Sequence, residues 1–378
     1  MVGEYSLNYN ALHTKEVFFI LVLSTGLFNH VTIIPMLLES AARDSWLSVI
    51  VSVIPYSIFL LIVYYIAHNT RQENISAWLK EKYGAFAAGI IIVPLLIILF
   101  IHAALTLIDT SIWAGIYYLP RIPNPIISAI LVISCYWIST RKLKELAVMS
   151  TIVLPMVVLL GFFIMGVNTN QKELEYLFPV FLNGYTPFLK GIAYSLSGLT
   201  EIYVIILLQH CIKAKVKLKQ IALLGVVLTV LILGPLTGAI MEFGPVEARN
   251  LSFPAYEEWK LLKIGEFISR MDFLAMFQWI SGAFFRIGLF MYIINHFFKR
   301  GKSRFLLPVL YLVIYGLTFL QFNTYDLNKF LYVYFLPVSL ITVLAVMILL
   351  FVLVLIKKKR SYDRLEKTQS KQTGVEGS

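Results

Sequence analysis

Charged residues are scarce in this sequence. They make up 14% of its 378 residues, whereas an average soluble domain is about 25% charged. Hydrophobic residues make up 59%, and the mean hydropathy is +0.79. The apolar residues fall into stretches of roughly 17–25 residues, the length that crosses a bilayer core. The composition therefore excludes an ordinary soluble domain and predicts an all-α polytopic membrane protein.

Cysteine is nearly absent as well. Cys135 and Cys211 both fall in or at the end of predicted spans, so they provide neither a disulfide framework nor a set of metal ligands. No His, Cys and Asp cluster has ligand spacing, and the sequence contains no phosphate-binding loop or nucleophile elbow. We therefore expect no enzyme activity, no metal and no cofactor.

Ten apolar stretches are predicted to span the membrane within a transporter-like domain of residues 17–356. The first stretch is too long for the core of a signal peptide, so it should remain in the mature protein. A segment of residues 1–16 precedes it, and the polar, basic tail of residues 357–378 is predicted to be disordered. The predicted spans are 17–38, 46–67, 86–118, 124–140, 146–167, 188–210, 220–242, 267–297, 305–322 and 331–356.

The net charge of +11 is explained by where the basic residues lie. Of 32 Lys and Arg residues, 22 fall in the two ends and the alternate loops that would share their side of the membrane, eight fall in the segments on the other side, and two, Arg270 and Arg286, lie in or at the edge of span 8. The positive-inside rule then predicts that both termini are cytoplasmic. The excess of basic residues therefore reflects the orientation of the chain in the membrane and does not indicate a nucleic-acid partner.

Polar and small residues interrupt the first and sixth spans, at LSTGLFNHVTIIP (23–35) and YSLSGLTEIY (194–203). Matching interruptions in two halves of five spans predict a 5+5 inverted-repeat fold with broken helices 1 and 6. Unwound segments free backbone groups to which a small polar ligand can bind. The ligand-binding candidates in these segments are Thr25, Gly26, Asn29, His30, Ser195, Ser197, Gly198 and Glu201.

Glu201 is the most unusual of these residues, because it lies about 18 Å along the helix from the predicted membrane boundary at Lys213. A carboxylate at that depth is costly unless it faces the interior of the bundle. In one interpretation Glu201 and Gly198 mark a binding-site break, with Glu201 beside a hydrated cavity. In the other, Glu201 is a hydrogen-bonded packing residue and Gly198 permits close helix approach.

Further polar residues occur in spans 3 and 8. In span 3, residues at spacings of four, three and four share one helical face, which predicts either a polar seam between helices or the wall of a water-accessible cavity. That face carries His102, Thr106, Asp109 and Trp113, of which Thr106 and Asp109 are ligand-binding candidates. Span 8 adds two more candidates, Trp279 and Ser281. Arg286 lies deeper in span 8 and requires a partner or a wet pocket.

The residues around span 8 carry two further predictions. Phe253, Tyr256 and Trp259 are three apart, which favours a short amphipathic helix in the outer interface over a solvated turn. Arg270 and Asp272 are predicted to form an interfacial pair near the outer end of span 8. Both predictions concern the loop side that the charge distribution places outside.

Four stretches carry a resemblance to a known family: NHVTIIPMLLESAARDSWLSV (29–49), FPVFLNGYTPFLKG (178–191), FGPVEARNLSFPAYEEWKLLKIGEFISRMD (243–272) and WISGAFFR (279–286). They are similar to the B subunits of Ger-type spore germinant receptors. These belong to the spore germination permease branch of the amino acid–polyamine–organocation superfamily. The likeness covers most of residues 10–357.

The resemblance implies a multi-pass protein of the spore inner membrane that senses a small nutrient, expected to be an amino acid, and triggers germination. It also implies two partners, an A subunit and a C-subunit lipoprotein of the same receptor. The ligand would bind between spans 1, 3, 6 and 8. The alternative is a proton-coupled amino acid transporter in which Glu201 or Asp109 carries the proton.

Overall fold

Apolar segments of this chain fold as helices because a helix satisfies its own backbone hydrogen bonds in lipid. The computed structural model describes residues 12–262, 271–298, 305–320 and 323–373, and within these ranges no residue belongs to a strand. Seven helical stretches in them are long and apolar enough to cross a membrane, and two shorter helices are also apolar. The all-helical membrane architecture predicted from composition is thus confirmed.

Fourteen α-helices form the described part of the chain. They are α1 (Thr14–Phe28), α2 (Ile34–Ala41), α3 (Ser45–Asn69), α4 (Ile75–Tyr117), α5 (Asn124–Thr140), α6 (Leu143–Val167), α7 (Tyr185–Leu199), α8 (Val204–Leu208), α9 (Leu218–Asn250), α10 (Pro254–Leu261), α11 (Phe273–Phe298), α12 (Leu306–Leu317), α13 (Thr324–Lys329) and α14 (Leu336–Thr373). Helix α1 packs against α6, α9 and α11, and α11 also packs against α4 and α5.

Three positions with positive φ divide the longest helical stretches. Ala42, with φ 46°, separates α2 from α3. Gly84, with φ 89°, and Gly244, with φ 75°, interrupt α4 and α9, where the absence of a Cβ makes this backbone conformation accessible. These interruptions explain why predicted spans 3 and 7, at 86–118 and 220–242, are shorter than the helices that contain them.

Two π-helical segments each end two residues before a proline. Asn29–Ile33 joins α1 to α2 ahead of Pro35, and Phe330–Phe335 joins α13 to α14 ahead of Pro337. Proline has no N–H to donate to the preceding turn and its ring crowds that turn, so a wider turn forms there. Each proline therefore produces an irregular turn without ending its helix.

The predicted unwound segments are wrong in their geometry. In the first span the backbone stays helical through Phe28, Asn29 and Ile34, with only the π turn between them. In the sixth span a 3₁₀ turn, Thr200–Tyr203, joins α7 to α8, and its flanking residues also keep helical dihedrals. The sequence located both irregular positions, but the structure resolves each one as a change of helix type, because the helical hydrogen bonds need only be rerouted by one residue.

The structure describes most of the predicted C-terminal tail but only the last few residues of the predicted N-terminal segment. Helix α14 continues to Thr373, past residue 357, where the sequence predicts the start of a disordered tail. The Lys, Arg, Glu and Gln residues of this segment are good helix formers, which is why it can extend the last span. The first eleven residues, residues 299–304 and residues 374–378 lie outside the described part of the chain.

Helix α10 forms where the sequence predicts a short helix, but its aromatic residues do not face an interface. Phe253, Tyr256 and Trp259 are all buried. Tyr256 meets Trp113 edge-on at 5.4 Å between ring centroids, so α10 covers one end of the bundle. Arg270 lies outside the described residues, and Asp272 accepts a hydrogen bond from the Tyr256 hydroxyl at 3.2 Å.

Candidate functional site

A two-point ion pair lies in the middle of the bundle. Arg286 of α11 donates from Nη1 to Glu201 Oε1 at 2.6 Å and from Nη2 to Glu201 Oε2 at 2.7 Å. Arg286 is fully buried and Glu201 is 2% exposed. Parallel N–H···O bonds of this kind are among the strongest hydrogen bonds in proteins. The partner that the sequence requires for Arg286 is therefore Glu201.

The remaining polar atoms of the pair are tied to two more helices. Arg286 Nε donates to Thr106 Oγ1 of α4 at 3.1 Å, and Nη1 also donates to the Ser24 carbonyl of α1 at 3.1 Å. Thr25 Oγ1, also from α1, donates to Glu201 Oε1 at 2.9 Å. One ion pair thus connects helices α1, α4 and α11 with the 3₁₀ turn that follows α7.

Aromatic rings complete the surroundings of the guanidinium. Its carbon lies 4.3 Å from the ring centroid of Phe28 and 4.7 Å from that of Phe290, within the range of a cation–π contact. Such an apolar setting excludes water and raises the cost of leaving either charge unmatched. Removing one member of a buried pair typically costs about 3–5 kcal/mol.

A small cavity lies beside the pair. It leaves about 20 Å³ for the centres of water molecules, which is room for one or two. Binding pockets for small ligands usually measure about 300–1,000 Å³, so this conformation is closed to a nutrient. The cavity is lined by Leu27, Phe28, Val31, Thr32, His102, Leu105, Thr106, Asp109, Thr110, Trp279, Arg286, Leu327 and Leu331.

Residues on the polar face of span 3 fill both of the roles that the sequence left open, packing between helices and lining a cavity. His102 is buried between the rings of Phe28 and Phe335, each 4.8 Å away and edge-on, so it packs between helices and also lines the cavity. Thr106 Oγ1 donates to the His102 carbonyl at 2.8 Å in addition to accepting from Arg286. Asp109 lines the cavity and makes no side-chain hydrogen bond or ion pair with any described residue.

Asn29 and Gly198 meet at the contact between spans 1 and 6. A Cβ on Gly198 would overlap Asn29 Oδ1 and would lie 2.8 Å from Ile33 Cγ1, so the glycine permits close approach. Asn29 is fully buried, and neither polar atom of its amide has a hydrogen-bond partner among the described residues. An unsatisfied buried amide is costly and requires an explanation.

The other candidates are not brought to the ion pair. A Cβ on Gly26 would lie 3.1 Å from Leu231, and the His30 ring lies within hydrogen-bonding reach of the Leu231 backbone, so both residues face α9. Ser195 Oγ is 2.8 Å from Ser52 Oγ of α3. Ser197 Oγ donates to the Ala193 carbonyl one turn earlier at 3.0 Å, and Ser281 does not line the cavity.

Trp279 forms the cavity wall nearest α10. Its ring stacks on Trp113 with centroids 4.1 Å apart and planes 13° from parallel, and Phe253 meets it edge-on at 5.3 Å. Trp279 therefore connects the cavity to the aromatic residues beneath α10. Among the described residues, no group of three or more His, Cys, Asp and Glu side chains is placed to hold a metal ion.

Apart from the ion pair, two acidic residues, Glu258 and Glu242, lie where α10 packs against α9. Glu258 is 5% exposed, and its Oε1 has no hydrogen-bond partner among the described residues. Glu242 of α9 accepts from Asn168 Nδ2 at 3.0 Å and lies 3.6 Å from Lys172 Nζ. Burial raises the pKa of Glu258 well above its ordinary value, the Glu242 charge raises it further, and Lys172 opposes both effects.

Sequence reasoning missed the site's central contact because it assessed each charge separately. Arg286 is not among the ligand-binding candidates, and neither interpretation of Glu201, as a residue beside a hydrated cavity or as a hydrogen-bonded packing residue, includes an ion pair. The signal was available: two opposite charges lay deep in different spans, and each needed compensation. The two residues are 85 positions apart, so no local sequence pattern indicates that they pair.

Comparison with known proteins places the chain in a family. A family model described as "Spore germination protein" matches residues 11–327. The chain belongs to this spore germination permease family. Spore germination protein XB of Bacillus anthracis is 35% identical over 348 residues, which cover 91% of this chain and 98% of that protein. Putative spore germination protein YfkT of Bacillus subtilis (strain 168) is 25% identical over 288 residues, covering 76% and 74% respectively.

Membership of the spore germination permease family confirms the resemblance carried by the four sequence stretches. The matched residues include the ion pair and Asp109. A permease family and long apolar helices agree on a multi-pass membrane protein. The family points to a receptor or a transporter.

Proposed function

We propose that this chain is the nutrient-sensing membrane subunit of a spore germinant receptor and that its ligand is an amino acid. The observation that carries the proposal is the Arg286–Glu201 pair, which joins the first, third, sixth and eighth spans beside a small cavity. A sensor needs a bistable element whose two arrangements differ in ligand affinity. A buried pair shared by several helices can serve as such an element.

The proposed architecture has ten spans in two inverted halves of five, with both termini cytoplasmic. Its support is the break at Ala42, which divides the first apolar stretch in two, together with two shorter apolar helices. Irregular turns in spans 1 and 6, the first span of each proposed half, also support it. The distribution of Lys and Arg supports the orientation.

In the proposed mechanism, the conformation with the small cavity is the resting form. An arriving amino acid separates the helices around the cavity and is accommodated between spans 1, 3, 6 and 8. Asn29, with its unsatisfied amide beside Gly198, supplies further polar contacts when the helices part. The A subunit and C-subunit lipoprotein expected from the family would receive this movement in the spore inner membrane and trigger germination.

A second function is favoured by one specific observation. Asp109 is an unpaired acid facing the cavity, as a proton carrier would be, so a proton-coupled amino acid transporter is the competing proposal. Uptake of a radiolabelled amino acid into proteoliposomes under a proton gradient separates the two. A receptor binds without accumulation, and a transporter concentrates its substrate.

The sensing function is tested by comparing spores with and without this chain against a panel of the common L-amino acids. We expect deletion to abolish the response to one or a few amino acids and to leave the others unchanged. Identical responses to every amino acid would contradict amino acid sensing by this chain.

A further inference from the structure

The charges that line the cavity are not balanced. Among the described residues, the cavity is lined by one cation, Arg286, and one acid, Asp109. The charge of Arg286 is already matched by Glu201 through two short bonds. Asp109 has no such counterpart. The cavity therefore presents one unmatched acidic group.

The ion pair and Asp109 also differ in how many further hydrogen bonds they can form. Arg286 directs its donors to Glu201, Thr106 and Ser24, and Glu201 accepts from Arg286 and Thr25, so the pair has little capacity left for a ligand. Asp109 can accept several hydrogen bonds and accepts none from the described residues.

Two hydroxyl groups extend this acceptor set. Thr32, in the π turn of span 1, and Thr110, next to Asp109, both line the cavity. Neither hydroxyl makes a hydrogen bond with a described residue. Three side chains thus offer oxygen acceptors around a space of one or two waters. A primary ammonium group is about the size of a water molecule and carries three donors.

We propose that Asp109 receives the ammonium group of the ligand, assisted by the hydroxyls of Thr32 and Thr110. The proposal rests on the proposed sensing function and adds its chemical requirement, which is a primary ammonium group on the germinant. In the closed conformation the space beside Asp109 admits this head group alone. The rest of the ligand then needs the surrounding apolar residues, such as Leu105 and Leu331, to move apart.

The experiment compares each common L-amino acid with its 2-hydroxy acid, for example L-alanine with L-lactate, because this exchange replaces the ammonium group with a hydroxyl and leaves the rest of the molecule unchanged. Germination dose–response curves are measured for spores carrying the wild-type chain, Asp109→Asn or Thr32→Val, and for spores lacking the chain. Glu247→Gln is the matched control, since Glu247 is an exposed acid on α9. Immunoblots of spore membranes give the amount of each variant.

We expect wild-type spores to prefer an amino acid over its hydroxy acid by at least about tenfold in half-maximal concentration. Asp109→Asn should remove most of this preference at a normal protein level, Thr32→Val should reduce it, and Glu247→Gln should retain it. If Asp109→Asn is not inserted, Thr32→Val decides the question.

The two proposals fail in different ways. If no amino acid response depends on the chain, sensing itself is wrong and the ammonium assignment falls with it. If a response depends on the chain but the hydroxy acid acts equally well, the assignment to Asp109 is overturned while sensing stands. The assignment is likewise overturned if the preference persists unchanged in the inserted Asp109 or Thr32 variants, as it would if Asp109 carried only a proton.

Discussion

Arg286 and Glu201, 85 residues apart in sequence, face each other through two parallel hydrogen bonds of 2.6 and 2.7 Å in the middle of the bundle. Both side chains are buried, so each charge depends on the other. The consequences of altering one member alone or both together are therefore different.

Arg286→Met should destabilise the protein by about 3–5 kcal/mol, because it leaves the Glu201 carboxylate buried without a counter-charge. The double variant Arg286→Met with Glu201→Leu should recover most of that loss, since an apolar pair avoids the cost of burying two charges. The germination response should be lost in both. Thermal unfolding of the detergent-purified protein measures the first two effects, and equal stability of the single and double variants would contradict a coupled pair.

Glu201→Gln addresses the role of the carboxylate itself. The amide keeps the shape of the side chain but cannot match the Arg286 charge, so we expect a weak or absent germination response, and lower stability than wild type. Dose–response curves across about pH 6 to 9, with immunoblots for protein level, measure the effect. A wild-type response throughout would reduce Glu201 to a packing residue.

Gly198→Ala should push α7 away from the first span, because the new Cβ overlaps Asn29 Oδ1. Overpacking of this kind usually costs about 1–3 kcal/mol. Combining it with Asn29→Ala should restore part of the stability. Gly161→Ala is the control, since a Cβ there meets nothing within 4 Å. Equal melting temperatures for the Gly198 and Gly161 variants would show that the close contact is unimportant.

Glu258 should make stability fall as pH rises. Its pKa is raised in the folded protein, so the folded state retains a proton that the unfolded state releases above an ordinary value of about 4.3. Between that value and the raised one, each increase in pH favours unfolding. Glu258→Gln should flatten this dependence in melting curves between about pH 5 and 8. Glu257→Gln, a neighbouring acid on α10, should retain the wild-type slope.

The proposed orientation is tested by labelling at Lys215→Cys, an exposed position between α8 and α9. Both native cysteines are buried, so background labelling should be low. A membrane-impermeant maleimide should fail to label intact cells and should label opened ones. Labelling of intact cells would reverse the proposed topology.

The sequence predicted the helical membrane fold and the positions of its irregular turns, because apolar length and proline or glycine content are local properties. Asp109 and Thr106 were placed on one face by helical periodicity alone, and the structure puts both at the cavity. The match between Arg286 and Glu201 depends on how α1 packs against both α11 and the 3₁₀ turn that follows α7, which no local pattern encodes. For the same reason, Gly26 and His30 were grouped with Asn29 although they face α9.

The two π turns have a consequence for movement. Val31 and Thr32 in the turn before Pro35, and Leu331 in the turn before Pro337, line the same cavity. A π turn holds an extra residue compared with an α turn, and that residue can pass along a helix by exchanging one hydrogen bond at a time. The first and last spans therefore each have a spare residue beside the cavity. We expect the space to widen by such a shift in register, with both helices remaining intact across the membrane.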